Sequence, residues 1–247
     1  MKNKKILKAV AAVVAIALAG VVLFYVNGLF GNPVSRTAAK LRAESYIAAQ
    51  YAGLDLTVED SGYDFKMGCY TVDVQSPESD DVHFPLYYDS FGRLNYDGYE
   101  NFVLSGRNTT ERLADRYRYY VELVLRNEPF FSSFGDKSFW FGTLSEKIAD
   151  YEINQPYNTE KIGAESGKLV IVFDSPEATV KDLAAALVEI KEIFNRNNVP
   201  FYCVDLSMGD YYLEDFLYAD IEQPGMEEKI AGIIAMQSDT DKEAPIE

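Results

Sequence analysis

Residues 9–26 read AVAAVVAIALAGVVLFYV, a run without one charged side chain. With Ile6 and Leu7 it reaches the roughly 20 apolar residues that a helix needs to cross about 30 Å of hydrocarbon. Lys2, Lys4, Lys5 and Lys8 precede it, and the next charge is Arg36. Basic residues are retained on the cytoplasmic side. The expectation is a single-pass protein of the cell membrane with a cytoplasmic N-terminus and residues 31–247 extracellular. The alternative is a signal peptide cut at the small-x-small site Ala17-Leu18-Ala19. Cleavage there would leave Gly20 to Val26 as an exposed apolar tail, so an uncleaved anchor is expected. No cysteine follows the run to take a lipid.

The chain carries a formal net charge of −16, and four of its 23 basic residues lie ahead of the apolar run. The outward part is therefore strongly acidic. Phosphate backbones need a basic patch, which excludes nucleic acid as a partner. An acidic surface also stands off an anionic bilayer. Eighteen tyrosines and 15 phenylalanines supply apolar area for real cores. Cys69 and Cys203 are the two cysteines. Each sits in a strand-like stretch of a different domain, so buried free thiols are expected over a disulfide.

After the anchor, Asn32-Pro33 pairs a capping side chain with a proline suited to the first helical turn, predicting a helix to about Gln50 with an Ala-rich face for a sheet. Four runs rich in β-branched and aromatic residues follow: LTVEDSGYDF, GCYTVDVQS, VHFPLYYDS and GRLNYDGY. Turn signals at Ser61-Gly62, Pro77 to Asp81 and Ser90 to Gly92 suggest an antiparallel meander. Pro85 marks its strand as an edge or a bulge. Asn108 and Glu111 resemble a capping box for a helix whose Leu113, Tyr117, Tyr120, Val124 and Leu125 share one face.

The aromatic stretch FFSSFGDKSFWFGTL, with Trp140, is expected to wedge between domains, an apolar ligand site being the alternative. KLVIVF and FYCVDLSM read as strands. Between them a helix starting at Ser175-Pro176 places Val180, Leu183, Leu187, Ile190 and Phe194 at helical spacing. Strand, helix, strand implies a parallel pair. YLEDFLYADI suits a further strand by Leu213, Leu217 and Ile221, and GMEEKIAGIIAM a closing helix. The expected fold is α+β: residues 1–30 lysines and anchor, 31–128 a helix-flanked antiparallel sheet, 129–236 a smaller ferredoxin-like domain, 237–247 a disordered tail.

His83 is the one histidine. Asp80, Asp81 and His83 form a weak candidate metal cluster against the plainer reading of a solvated turn, and zinc ordinarily takes more His or Cys ligands. GAESGKL resembles a phosphate loop, but its Gly-Lys precedes a strand instead of opening a helix, so a flexible turn is expected. Asp210, Glu214, Asp215 and Asp220 are paired carboxylates without a cleft signal. No catalytic residue and no cofactor are expected.

The segments GNPVSRTAAKLRAESYI and DVHFPLYYDSFGRLNYDGYENFVLSGRNTTERLADRYRYYVE resemble the YfjL-like proteins, membrane-anchored proteins of Gram-positive bacteria. The resemblance rests on Gly31-Asn32-Pro33, Tyr88-Asp89, Ser105-Gly106, Asn108-Thr109 and Arg112-Leu113. It implies an anchored, helix-flanked sheet and brings no catalytic residue. Three functions remain open at this point: a non-enzymatic binding or regulatory module engaging a cell-envelope protein or peptide, an envelope enzyme using carboxylates or a metal, and a structural subunit of a membrane complex.

Overall fold

The computed structural model describes residues 2–146 and 151–243. They form a mixed helix and sheet fold in two compact units, residues 1–108 and 109–247. The long apolar stretch lies in α1 (Lys2–Phe30), which is long and apolar enough to cross a membrane, and none of its apolar window is buried.

Gly31 breaks this helix from α2 (Pro33–Gln50). Its φ of 70° lies in the left-handed region, and a Cβ there would stand 2.6 Å from the Tyr63 ring. As expected, Asn32 caps α2, its Oδ1 accepting from the Val34 N–H at 2.8 Å, with Pro33 next. Ala39, Ala43 and Ile47 recur every fourth residue and are buried on the sheet, where small side chains permit close approach.

That sheet is the expected meander, β1 (Thr57–Asp64), β2 (Cys69–Ser76), β3 (Ser79–Tyr88) and β4 (Leu94–Asp97), antiparallel in that order. Ser61-Gly62 is no turn: it lies inside β1, where a register shift between Val58 and Ser61 absorbs it. The first turn falls instead at residues 65–68. Pro85 also needs correction, because β3 is an inner strand. Pro85 pairs with Asp73, and its carbonyl accepts from the Gly98 N–H just past the end of β4. Its nitrogen faces the same side, where no ladder donor is required. The edges are β1 and the short β4, and β1 is blunted: Lys40 Nζ donates to the Glu59 carbonyl at 3.1 Å and Arg36 reaches Asp60 and Ser61.

The chain divides at Asn108, twenty residues before the boundary expected from sequence. Helix α3 (Arg107–Asn127) does not close the first sheet; its Leu113, Tyr117, Val121, Val124 and Leu125 belong to the second core, with Val121 in place of the exposed Tyr120. Asn108 is no helix cap. Its Nδ2 donates to the Asp81 and His83 carbonyls at 2.9 and 2.6 Å, tying itself to β3.

In the second unit, α4 (Pro129–Ser132) and β5 (Phe139–Leu144) occupy the aromatic stretch. Trp140 is no wedge between domains: it packs on Phe131 within this unit's core. Gly142 of β5 has no room for a side chain, since a Cβ would meet Val121 at 2.7 Å. Then follow α5 (Thr159–Ser166), β6 (Gly167–Phe173), α6 (Val180–Arg196), β7 (Cys203–Met208), β8 (Tyr211–Leu217) and α7 (Met226–Glu243). GAESGKL is thus the end of α5 running straight into β6, with no free turn. Helix α6 begins at a Thr179–Asp182 capping box, four residues later than expected, and buries Leu183, Leu187, Ile190 and Phe194.

The strand order is sequential, β5-β6-β7-β8, with β6 and β7 a parallel pair and both outer pairs antiparallel. A ferredoxin-like sheet would instead insert a strand between its parallel partners, so that finer expectation is replaced. The tail expected to lack order from Gln237 is helical to Glu243; residues 244–247 lie outside the described residues.

Candidate functional site

Strand β6 alternates cleanly. Leu169, Ile171 and Phe173 are buried against the helices, while Lys168, Val170 and Val172 face the other way. Pairing carries this second face across the sheet. Phe139 lies beside Val172, Phe141 beside Val170 and Thr143 beside Lys168, and on the other side Cys203, Asp205 and Ser207 follow. Tyr212 of β8 continues it. Phe139, Phe141 and Tyr212 are 52%, 37% and 43% exposed, so this is an open aromatic and aliphatic surface.

At one end of the face stands a charged network. Lys168 Nζ lies 2.8 Å from an oxygen of Asp205 and 2.8 Å from one of Asp215, and all three side chains are mostly buried. A bulge makes the third member possible. The β7–β8 register shifts between Val204 and Leu206, and Asp215 takes a φ of 48°. Phe216, three residues after Leu213, therefore joins Leu213 in the core. The Asp215 N–H donates to Asp205 at 2.8 Å, and the Cys203 thiol lies 3.7 Å from Asp215.

The electrostatics move two of these groups away from neutral pH. Burial pulls Lys168 down, but the hydrogen bonds and charges of Asp205 and Asp215 more than offset it and hold the ammonium above the ordinary lysine range. Burial, and then the charge of Asp215, push the Cys203 thiol up to about 12. A nucleophilic cysteine needs its thiolate, and an acid or base needs a pKa near the working pH. Both shifts lead away from neutrality.

Beside Asp215 opens a cavity of about 330 Å³, lined by Tyr202, Glu214, Leu217, Asp220, Lys229 and Ile233 among others. Lys229 is engaged by Asp220. Acidic groups therefore outnumber basic ones, over an apolar floor.

The residues singled out from sequence do not converge. Asp81 is buried, whereas Asp80 and His83 are exposed on the same strand. Among the described residues no three His, Cys, Asp or Glu side chains are gathered to hold a metal ion. Cys69 and Cys203 are buried and free. Of the carboxylates noted from sequence, Glu214, Asp215 and Asp220 line the cavity. Asp205 and Lys168 carried no local signal beyond being charges within apolar strand runs.

Comparison with known protein families matches residues 5–98 to the YfjL-like, N-terminal domain and residues 109–231 to the YfjL-like C-terminal domain. No curated protein and no solved structure matches. The two matches meet where the structure divides, and together they span nearly the whole chain, which belongs to the YfjL-like family.

Proposed function

We propose that the protein is held in the cell membrane by α1, with residues 31–247 outside, and serves as a non-enzymatic binding or regulatory module of the cell envelope. Its contact surface is the open face of the second sheet. The observation that carries this reading is the union of an exposed aromatic face with a charged network whose one lysine is already engaged by two aspartates. Aromatic side chains at a surface supply contact area at low entropic cost, and desolvated pockets beside them anchor a partner. The adjoining acidic cavity suits a lysine or arginine of that partner. Pairing on an edge of the first sheet is the poorer alternative, since Arg36 and Lys40 occupy β1 and β4 is only four residues long.

A photoreactive side chain placed at Phe141 or Tyr212 of the full chain, in its own membranes, tests this. A discrete crosslinked envelope protein, linked through a segment carrying a basic residue, is expected. The same label at Leu123, exposed on α3, should capture nothing. Equal capture at all three positions, or none, would refute the reading. Protease applied to intact cells should remove the whole outward part.

A further inference from the structure

The first sheet has two ends, and the hydrogen bonds that tie it to the junction of α1 and α2 lie at one of them. The Tyr63 hydroxyl donates to the Gly28 carbonyl at 3.3 Å, and the Asn32 N–H donates to the Tyr70 hydroxyl at 2.7 Å. The Ser35 hydroxyl donates to the Ser90 carbonyl at 3.0 Å. Tyr70 pairs with both Tyr63 and Tyr88, so the β1–β2 turn and the β3–β4 turn project from this same end.

The tips of those turns are unlike ordinary turn tips. Residues 65–67 read Phe-Lys-Met and residues 91–93 Phe-Gly-Arg. Phe65, Met67 and Phe91 are 58%, 65% and 79% exposed. The turns do not need these side chains. Asp64 Oδ1 accepts from the Lys66 and Met67 N–H groups, and Asp89 Oδ1 accepts from Phe91 and Arg93, so the aspartates hold both bends. Each tip then carries one acid turned into its bend and one base, Lys66 or Arg93. The two tips are charge-balanced within a chain of net charge −16, and the Arg42 side chain lies beside Gly92 at the same end.

We infer that the tips formed by Phe65, Lys66, Met67, Phe91 and Arg93 seat in the lipid interface around the anchor, so that the first unit lies against the bilayer. This rests on the reading of α1 as a membrane span. Aromatic and long apolar side chains favour the boundary between headgroups and acyl chains, and neighbouring basic groups meet lipid phosphates. Repulsion from anionic lipid disfavours the acidic parts of the chain at that boundary.

The test uses the full chain in vesicles of phosphatidylcholine and phosphatidylglycerol, with single tryptophans added over the background of Trp140. Leu18→Trp reports the anchor, Phe91→Trp the turn tip, and Gln75→Trp the opposite end of β2, about 20 Å from Cys69 at the rise of a strand. Lipids carrying a nitroxide near the headgroup should quench the added emission of Phe91→Trp, as for a ring at the headgroup boundary. Gln75→Trp should be unaffected, and Leu18→Trp quenched best by a nitroxide deep in the chains. Adding Phe65→Ser and Met67→Ser to Phe91→Trp should weaken its quenching. If Leu18→Trp is quenched while Phe91→Trp behaves like Gln75→Trp, the seating is overturned and the anchor stands. A blue-shifted but unquenched Phe91→Trp would mean contact with a second copy and also overturn it. If Leu18→Trp is not quenched, the anchor reading falls and this inference with it.

Discussion

The two units reach stability by different routes. The first sets one helix on a meander of neighbouring strands, and its small core is rich in tyrosine and polar ties. Asp97 accepts the hydroxyls of Tyr46 and Tyr51 at 2.8 and 2.7 Å and also the Tyr99 N–H at 2.9 Å. The second threads a crossover helix between parallel strands and buries a broad apolar core drawn from five helices and four strands. Local pairing with specific hydrogen bonds can stabilise a small unit. Long-range pairing needs a large apolar core to offset its loop closure.

The sharpest way to probe this contrast is Leu187→Ala. Leu187 is fully buried in α6, and its truncation should cost about 2 to 5 kcal/mol. Hydrogen exchange should show the loss in residues 109–243 and little in the first unit. A uniform loss would mean that the units unfold together.

Lys168→Ala strands Asp205 and Asp215 in a mostly buried site and should cost about 2 kcal/mol, below the value for fully buried pairs because some water reaches the network. Denaturant unfolding measures it, and an unchanged stability would show that the network is solvated.

On the first unit, Gly31→Ala should cost about 1 to 3 kcal/mol, through its left-handed backbone and the Tyr63 ring.

Both units should lose stability in base, the second through the buried Cys203 and Tyr117 and the first through its tyrosines. Burial, reinforced by Asp97, pushes Tyr46 and Tyr88 up from 10.0 to about 12. Between these values the unfolded chain ionises before the folded one does. Stability is therefore full below pH 10 and is lost as pH rises toward 12. Exchange protection of β3 across that window checks the sign; protection that rises would refute it.

The smallest effect is expected from Asp80→Asn with His83→Ala. Both residues are exposed, so stability should move by less than about 0.5 kcal/mol. Chelator or added zinc should leave the melting midpoint unchanged. A metal-dependent rise abolished by this pair would restore the envelope-enzyme reading.

The same contrast governs what the sequence could disclose. In the first unit Asn32-Pro33, the spaced alanines and the alternating strands are local patterns, and each acts over a few residues. The second unit showed its crossover helix and β6 for the same reason. Helix α3 misled because periodicity reveals which face is apolar but not which sheet will cover it. Strand β5 and helix α5 were hidden by aromatic and Gly-rich text that suits several backbones. The candidate site was least legible, since Lys168, Asp205 and Asp215 meet only through parallel register and a bulge, neither of which is written within a window of sequence.

The break at Gly31 has a mechanical side. No flexible tether separates α1 from α2: Gly31 turns the chain, and Tyr63 and Tyr70 fasten the elbow on either side of it through the Gly28 carbonyl and the Asn32 N–H. A soft linker would let the first unit sweep a volume set by its length, diluting it against any partner. With α1 in the membrane, as proposed, a stiff elbow would hold that unit at nearly fixed height and tilt. Rotation of α1 would then become rotation of the first sheet, so a lateral neighbour gripping α1 would also choose the direction in which that sheet looks.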